Sequence, residues 1–509
     1  AGFVHPQHSM RSRAVPRRGA LKCSRTNKFA TMARMTAVLE TPELTGRIGG
    51  PIGKRAAKRS PWFDPARFAL PMAGLTMALC LLRQVPCRPL PGDFPNAYKR
   101  LCYSDIQSHY FARGLSTGAG VYEGAPLEYS PLFGYLVQFA NWLAGLFVSQ
   151  TPDTSFDEQI TGSTIFVVTC AVVLSTCFIA TTAAHLVMGN SSATKASDGV
   201  HVRAWDAVLI AISPVVLFAG LISWDLLAVG LTSAALLSWA KRRPALTGIC
   251  FGLACAARLY PLAILLGLGL LCLRAGKVKS WLTTLCAALG VFVLVNLPVM
   301  IMNFQGWVGF WRNTLDRANA DLGSFWYVLE LAGIKVPALN VFVFGAMLLG
   351  WVGLAYLILH APRRPRLGQV ACLAVLVFLI FAKGYPPQFA LWLVPLVVLA
   401  RPKLVDVAVW TAGELIYYFA VWGFLDGGIG RGSGGEWIYW MAIGLRICAQ
   451  LWIGLRIIDD INRPWEDPVR TPFVDDPIGG ELDHSNDAPW AAGFAAAPAL
   501  HPAEDSQPK

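Results

Sequence analysis

The sequence has few charged residues, and this excludes a water-soluble globular fold. Of 509 residues only 15% are charged and 55% are hydrophobic, whereas a soluble domain has roughly 25% charged residues. Apolar stretches bounded by charges recur from Phe68 to Ile457, and a helix of about 20 apolar residues crosses a bilayer core. The composition therefore predicts an all-α polytopic membrane protein with about 12 transmembrane helices.

The sequence also lacks the spacings typical of a protein-built metal site. It contains 12 Cys and 8 His but no Cys-x-x-Cys or His-x-x-x-His pair, and zinc sites usually need such pairs. We expect no cofactor. Cys87 and Cys102 flank one polar loop, and they would be able to pair if that loop lies outside the cytoplasm.

Net positive charge is scarce outside one segment. Residues 1–60 contain 13 Lys or Arg and 2 Glu, and so hold +11 of the net charge of +12. With few large apolar residues, 1–66 is predicted to be a disordered basic cytoplasmic tail that meets anionic lipid rather than nucleic acid. It is not expected to be a cleavable signal peptide, because no apolar core follows until Phe68. Acid-rich 459–509 is predicted to be a second disordered cytoplasmic tail.

The Lys and Arg clusters between the apolar stretches indicate the orientation. With both termini in the cytoplasm, every later cluster lies inside only if 131–148 fails to span the membrane. We therefore predict a re-entrant or surface helix there, within a first outer loop over 85–160. The predicted transmembrane domain, 67–458, then has spans near 68–84, 165–188, 205–221, 226–240, 245–257, 262–275, 281–303, 337–360, 367–382, 389–400, 403–424 and 437–457.

Loops rich in aromatic and polar residues all fall on the outer face in this arrangement. A transporter more often holds its polar groups at mid-membrane, in unwound helices of two similar halves, and no such repeat is present. The asymmetry favours chemistry at the outer face of the plasma membrane. These loops are 85–160, 223–225, 258–261, 304–336, 383–388 and 425–436.

The first outer loop contains a carboxylate suited to proton transfer. Asp105 follows an apolar span and precedes aromatic residues at helical spacing, which indicates a helix lying on the membrane. A carboxylate at the interface can accept the proton of an attacking hydroxyl. The alternative is a solvated loop acid.

The order of several motifs resembles a known family. Asp105 is followed by Tyr-Ser-Pro-Leu at 129–132, Ser-Trp-Asp-Leu-Leu at 223–227, Lys-Arg-Arg-Pro at 241–244 and Ala-Ala-Arg-Leu-Tyr-Pro at 256–261. This order resembles the GT-C glycosyltransferases, most closely glycosyltransferase family 87 and its actinobacterial polyprenol-phosphate-mannose-dependent mannosyltransferases. The resemblance extends over about 101 to 425.

The resemblance implies a GT-C-like bundle and an inverting hexosyltransferase. A sugar, mannose in the related enzymes, would pass from a polyprenyl-phosphate donor to a lipid or glycan acceptor, with Asp105 as the base. Asp105 is followed by Ile106 and Gln107 and not by a second acid, so a metal held by paired carboxylates is not expected. The alternative functions are a lipid or solute transporter without transferase activity and a non-catalytic scaffold.

Three residues are predicted to bind the donor phosphate. Arg258, with Tyr260 in the same motif, lies at the outer end of a short span, where a cation can neutralise a phosphate beside lipid. Lys383, in Lys-Gly-Tyr-Pro-Pro-Gln, would bind the same group. Alternatively, Arg258 extends to the lipid headgroups, and the Lys383 segment is only a rigid turn.

Six residues are predicted to contact sugar or acceptor. Asp225 begins a span and is alternatively only a helix cap. Aromatic rings, carboxylates and guanidinium groups together form sugar-binding walls, although Trp and Tyr also mark any bilayer surface. Glu414 lies inside an apolar span, where a carboxylate is often functional or paired with a neighbouring helix. The six residues are Trp224, Asp225, Arg312, Trp326, Tyr385 and Gln388.

Overall fold

Helices form all the regular structure of the described part of the chain. The computed structural model describes residues 64–90, 94–122, 130–189, 202–315, 319–470 and 475–492. Six helices are long and apolar enough to cross a membrane, and five apolar helices of 10–17 residues accompany them. The all-α polytopic fold is therefore confirmed, while the predicted basic tail over 1–66 lies almost wholly outside the described residues.

We number the helices in chain order. They are α1 (Pro65–Gln84), α2 (Asp105–Ala112), α3 (Pro131–Gly145), α4 (Phe156–Gly189), α5 (Ala207–Ala211), α6 (Pro214–Ala219), α7 (Asp225–Ala240), α8 (Pro244–Ala257), α9 (Tyr260–Arg274), α10 (Val278–Met302), α11 (Phe304–Leu315), α12 (Phe325–Leu331), α13 (Leu339–His360), α14 (Leu367–Phe381), α15 (Ala390–Ala400), α16 (Leu404–Leu425), α17 (Glu436–Asn462) and α18 (Pro489–Ala492).

The predicted span over 205–221 is wrong as a single helix, because it divides into α5 and α6 at Ser213. Ser213 has a non-helical backbone with ψ of 120°, since the ring of Pro214 disfavours helical geometry in the preceding residue. Helix α1 bonds carbonyls near the break and near the end of α6. The Thr76 hydroxyl donates to Ala211 O at 2.7 Å, and Arg83 donates to Leu217 O and Phe218 O.

Helix α3 has the length expected of a helix that does not span the bilayer. Its 15 residues extend about 22 Å at 1.5 Å per residue, which is shorter than a hydrocarbon core of about 30 Å. Phe133 and Val137 are buried, while Phe139 and Trp142 are exposed. Its re-entrant or surface placement stays a prediction.

Helices α8 and α10 pack closely through a pair of glycines. A Cβ at Gly248 would collide with Thr284 O, and a Cβ at Gly252 would collide with Ala288 O. Small residues four positions apart allow such backbone approach between membrane helices. This contact fixes α8, and with it the loop that follows at Arg258.

Loops at one end of the bundle are bonded to one another. We call this end the aromatic end, and it comprises residues 94–122, 221–225, 258–261, 319–331 and 383–389. Asp105 N donates to Ile222 O at 2.7 Å, and Asp321 N donates to Lys383 O at 2.8 Å. A disulfide joins Cys87 to Cys102 beside this end, with their Cα atoms 5.8 Å apart. The loops predicted to share one face therefore do so.

The opposite end, which we call the basic end, gathers the arginines of the short loops. Arg366 is 1% exposed and pairs with Asp467 at 2.7 Å. Arg274 and Arg364 both pair with Asp487, at 2.8 Å and 2.7 Å. Burial alone would raise the pKa of Asp467, but the Arg366 charge outweighs it, so the pKa of this carboxyl is lowered.

The prediction of a disordered acidic tail is therefore wrong for 459–470 and 475–492. These residues cross the basic end and place their acids against arginines from several loops. Trp239 also donates to Gly479 O at 2.8 Å, and Ala488 N donates to Arg274 O at 2.8 Å. Complementary charge from distant loops orders this segment. We call it the acidic clamp.

Replacing Asp467 with alanine should destabilise the fold strongly, because Arg366 would stay buried without a counter-charge. Breaking a buried pair in this way costs about 3–5 kcal/mol. Thermal unfolding in detergent should show a clearly lower midpoint for Asp467→Ala. Glu466→Ala is the matched control, since Glu466 is 52% exposed and pairs only loosely with Arg463. Equal midpoints for the two variants would contradict a clamp function for Asp467.

Candidate functional site

A cavity of about 370 Å³ opens at the aromatic end, where α8 ends and α9 begins. Four of the residues singled out from the sequence line it: Arg258, Tyr260, Lys383 and Gln388. Most of the other lining groups are apolar. The remaining lining residues are Ser130, Pro131, Cys255, Ala256, Ala257, Leu259, Phe292, Asn296, Phe310, Trp311, Asp321, Phe378, Ala382, Gly384, Pro386, Phe389 and Trp392.

Arg258 enters the cavity from the break between two helices. Its backbone is extended, with φ of −149° and ψ of 149°, because α8 has ended and Pro261 starts the next helix. The guanidinium lies over the rings of Phe133 and Phe389, with centroid distances of 5.2 Å and 5.7 Å. A cation held over aromatic faces away from bulk water keeps a strong field.

A bidentate ion pair orients Arg258. Its Nε donates to Asp225 Oδ1 at 2.8 Å, and its Nη2 donates to Asp225 Oδ2 at 2.9 Å. Asp225 is fully buried and also accepts from Ser223 and from Trp392 Nε1 at 2.8 Å. Asp225 makes no side-chain cap, since Trp224 is the cap residue of α7. The carboxylate therefore positions the arginine and does not itself line the cavity.

The ring of Tyr260 is part of the cavity wall. It stacks on Trp392 with centroids 4.5 Å apart, and its hydroxyl donates to Thr232 at 2.9 Å. The hydroxyl is therefore held inside the bundle. The tyrosine and the arginine of the Arg-Leu-Tyr-Pro motif thus line the same cavity.

Lys383 supplies a second cation to the same cavity. Its Nζ donates to Asn340 Oδ1 at 2.8 Å, and its carbonyl accepts from Asp321 N. Gln388, 6% exposed, lines the cavity from the far end of the turn. Two cations and the acid Asp321 therefore border one mostly apolar space.

Asp105 is the first residue of α2 and lies outside the lining of this cavity. Its segment is tied to the one that carries Asp225, because Asp105 N donates to Ile222 O and Ser104 donates to Leu221 O at 2.6 Å. Burial, and then the Asp105 carboxylate, raise the pKa of Tyr103. Tyr103 thus keeps its proton.

The other predicted contact residues lie at the same end but apart from the cavity. Trp224 is fully buried between His109 and Phe133. Arg312 is exposed on α11, although its neighbour Trp311 lines the cavity. Trp326 lines a separate cleft and donates to Phe381 O at 3.0 Å. The side chain of Tyr385 is fully buried and bonds to Glu414.

The middle of the chain matches a known family. The model of glycosyltransferase family 87 covers residues 151–382. Over this segment the chain is similar to glycosyltransferase family 87. The match confirms the resemblance to family 87 drawn from the motif order, while the likeness to the actinobacterial mannosyltransferases stays a prediction. Together with the apolar helices, it supports a membrane glycosyltransferase. No curated protein matches the chain.

The family 87 match contains only part of the cavity. It includes Asp225, Arg258 and Asp321 but begins after Asp105 and ends one residue before Lys383. The Asp225–Arg258 pair therefore belongs to the segment shared with the family. The roles of Asp105 and Lys383 rest on motif resemblance and on geometry.

A buried network supports the two turns that border the cavity. Glu414 accepts from Tyr385 at 2.9 Å and from Gln450 at 2.8 Å. Arg446, 1% exposed, lies 3.7 Å from the Tyr385 ring centroid and donates to Gly323 O at 2.9 Å. The network thus joins the Gly323 turn to the Tyr385 turn.

Gly323 is required at its position in this network. Its φ of +76° lies in the left-handed region, and a Cβ there would meet the Tyr417 hydroxyl and Tyr385 O. Tyr417 itself donates to Tyr385 O at 2.7 Å. Tyr417 and the buried network therefore fix the turns that carry Asp321 and Lys383.

Several residues of this site escaped the sequence interpretation. Trp392 and Phe389 gave no signal, because aromatic residues are unremarkable in an apolar stretch. Arg446 and Asn296 did give one, since polar groups inside a span are costly and often functional. Only Glu414 was singled out on that ground. No group of three or more His, Cys, Asp or Glu able to hold a metal lies within the described ranges. The absence of a cofactor from the whole chain stays a prediction.

Arg446→Met should lower glycosyl transfer at least tenfold, a barrier change of about 1.4 kcal/mol, because the turns carrying Asp321 and Lys383 would lose a shared support. Arg366→Met at the basic end is the matched control, since Arg366 is also 1% exposed. Both variants should unfold at lower temperatures, but only Arg446→Met should lose transfer when assayed well below its midpoint. An equal loss of transfer in both would show that Arg446 affects stability alone.

Proposed function

We propose that the chain transfers a sugar, mannose, from a polyprenyl-phosphate donor to a lipid or glycan acceptor at the outer face of the plasma membrane. The observation that carries this proposal is the cavity at the aromatic end, where Arg258 and Lys383 border a mostly apolar space. A polyprenyl phosphate matches this arrangement, since its anionic phosphate suits the two cations and its long apolar chain suits the apolar lining.

The two cations suit the charge that develops during transfer. The acceptor oxygen forms a bond to the anomeric carbon as the bond from that carbon to the phosphate oxygen breaks. The electron pair stays with the phosphate, which leaves as a monoester with one more negative charge. Cations fixed in a low-dielectric site stabilise such a charge without reorganising. Asp225 keeps Arg258 in place for this task.

Asp105 takes the proton of the acceptor hydroxyl in this proposal. An attack opposite the leaving phosphate inverts the anomeric configuration, so the base and the two cations lie on different sides of the sugar. The hydrogen bond from Asp105 N to Ile222 O ties the start of α2 to the segment that leads to Asp225. That link supports a base next to the cavity.

The sidedness of the bundle supports an outer-face site. Arginines and the acidic clamp occupy the end opposite the cavity, and basic loops favour the cytoplasmic side. The disulfide between Cys87 and Cys102 adjoins the aromatic end, and disulfides persist outside the reducing cytoplasm. Both features favour a cavity that faces outward, with the two termini in the cytoplasm.

Asp105→Asn should lower kcat by about 10²–10⁴-fold, the usual contribution of a general base, and leave the donor KM nearly unchanged. The assay uses the purified protein in phosphatidylcholine nanodiscs, a polyprenyl phosphate carrying labelled mannose, and octyl α-mannoside as acceptor. Asp321→Asn is the matched comparison, because Asp321 lines the cavity. Full transfer by Asp105→Asn, with loss in Asp321→Asn, would move the role of base to Asp321.

Lys383→Met should raise the donor KM about tenfold, a loss of about 1.4 kcal/mol, because one of two phosphate contacts disappears. Arg258→Lys should have a larger effect, since lysine cannot keep the bidentate pair with Asp225. Lys99→Met is the control, because this lysine is exposed at the aromatic end and does not line the cavity. A normal donor KM in Lys383→Met would exclude a phosphate contact there, and no transfer by the wild type would contradict the proposed function.

A further inference from the structure

A second cleft lies next to the cavity at the aromatic end. Its volume is about 320 Å³, and its lining includes Asn319, Ala320, Trp326, Glu330 and Lys335. Unlike the apolar donor cavity, it presents an amide, a carboxylate, an ammonium group and one aromatic ring. A polar space of this kind does not suit a prenyl chain.

Consecutive residues line the cleft and the cavity at one place, and a hydrogen bond connects the two linings at another. Ala320 lines the cleft while its neighbour Asp321 lines the cavity. Leu339 lines the cleft, while its neighbour Asn340 accepts from the cavity residue Lys383 at 2.8 Å. Since consecutive Cα atoms are about 3.8 Å apart, groups bound in the two spaces can approach each other closely.

Helix α12 holds the polar groups of the cleft in a fixed arrangement. Trp326 and Glu330 are four residues apart and so share one helix face. The Trp326 indole nitrogen donates to Phe381 O at 3.0 Å, which fixes the ring at the cleft. Ser324 caps the helix by accepting from Tyr327 N at 3.0 Å and donates to Asp321 O at 2.9 Å, so the helix is tied to the cavity residue Asp321.

We propose that this cleft binds a sugar ring of the acceptor. This inference rests on the proposed function, because it names the second substrate of the same reaction. An anchored tryptophan offers a ring face to the C–H side of a sugar, while Glu330 and Asn319 can bond its hydroxyls. The adjoining linings bring an acceptor hydroxyl to the edge of the donor cavity.

Sugar binding can be measured without donor or transfer. Saturation-transfer NMR on the full chain in phosphatidylcholine nanodiscs uses α-mannobiose, maltose and lactose as probes. We expect the wild type to bind at least one of them and Trp326→Ala to weaken that binding about tenfold. Trp326→Phe, which keeps a ring, should weaken it less than threefold. Trp437→Ala, at an exposed tryptophan that does not line the cleft, should leave it unchanged.

Two results would overturn the proposal: no binding of any disaccharide by the wild type, or equal binding by Trp326→Ala. Transfer kinetics give a second readout. With octyl α-mannoside as acceptor, Trp326→Ala and Glu330→Gln should raise the acceptor KM and leave the donor KM within twofold. A raised donor KM with an unchanged acceptor KM would assign the cleft to the donor. Absence of transfer would contradict the proposed function, while the NMR result would still decide the cleft.

Discussion

The buried ion pair between Asp225 and Arg258 is the interaction on which the site depends. An arginine inside an apolar bundle is costly unless a counter-charge and further hydrogen bonds satisfy it. Asp225 supplies both oxygens, and Ser223 and Trp392 bond the same carboxylate. The guanidinium therefore stays at the edge of the cavity instead of turning to the membrane surface. Four segments meet at this pair, namely the start of α7, the break after α8, the loop at Ser223 and helix α15.

A second buried network of charged and polar side chains fixes the other side of the cavity. Glu414 accepts from the Tyr385 hydroxyl, and Arg446 lies over the Tyr385 ring and donates to Gly323 O, so the pair links the turns that hold Asp321 and Lys383. Neither residue of the pair lines the cavity. The cavity is thus a gap between two rigid polar centres, each inside the apolar bundle, and its shape follows from both.

The sequence predicted that aromatic and polar loops meet at one end of the bundle, because charge in short loops is a local signal. The orientation of that end and the exclusion of 131–148 from the spans, both obtained by counting Lys and Arg, stay predictions. The split of 205–221 at Ser213 was also readable from Pro214, yet its hydropathy concealed it. The partners of Asp225 and Arg446 could not be read, since they come from distant helices. The acidic clamp was missed for the same reason, because its composition resembles disorder until the arginines of remote loops are brought beside it.

The position of the acidic clamp in the chain has a consequence for biogenesis. All the acids that pair with Arg274, Arg364 and Arg366 follow the last long helix, so they leave the ribosome after every span has been made. During insertion the loop arginines are therefore not yet neutralised, and each is able to act as a retention signal at the translocon. The acidic clamp forms its ion pairs with these arginines only after the last helix has been made. The same arginines thus act first as topogenic charges and later as structural ones, and the order of synthesis separates the two roles in time.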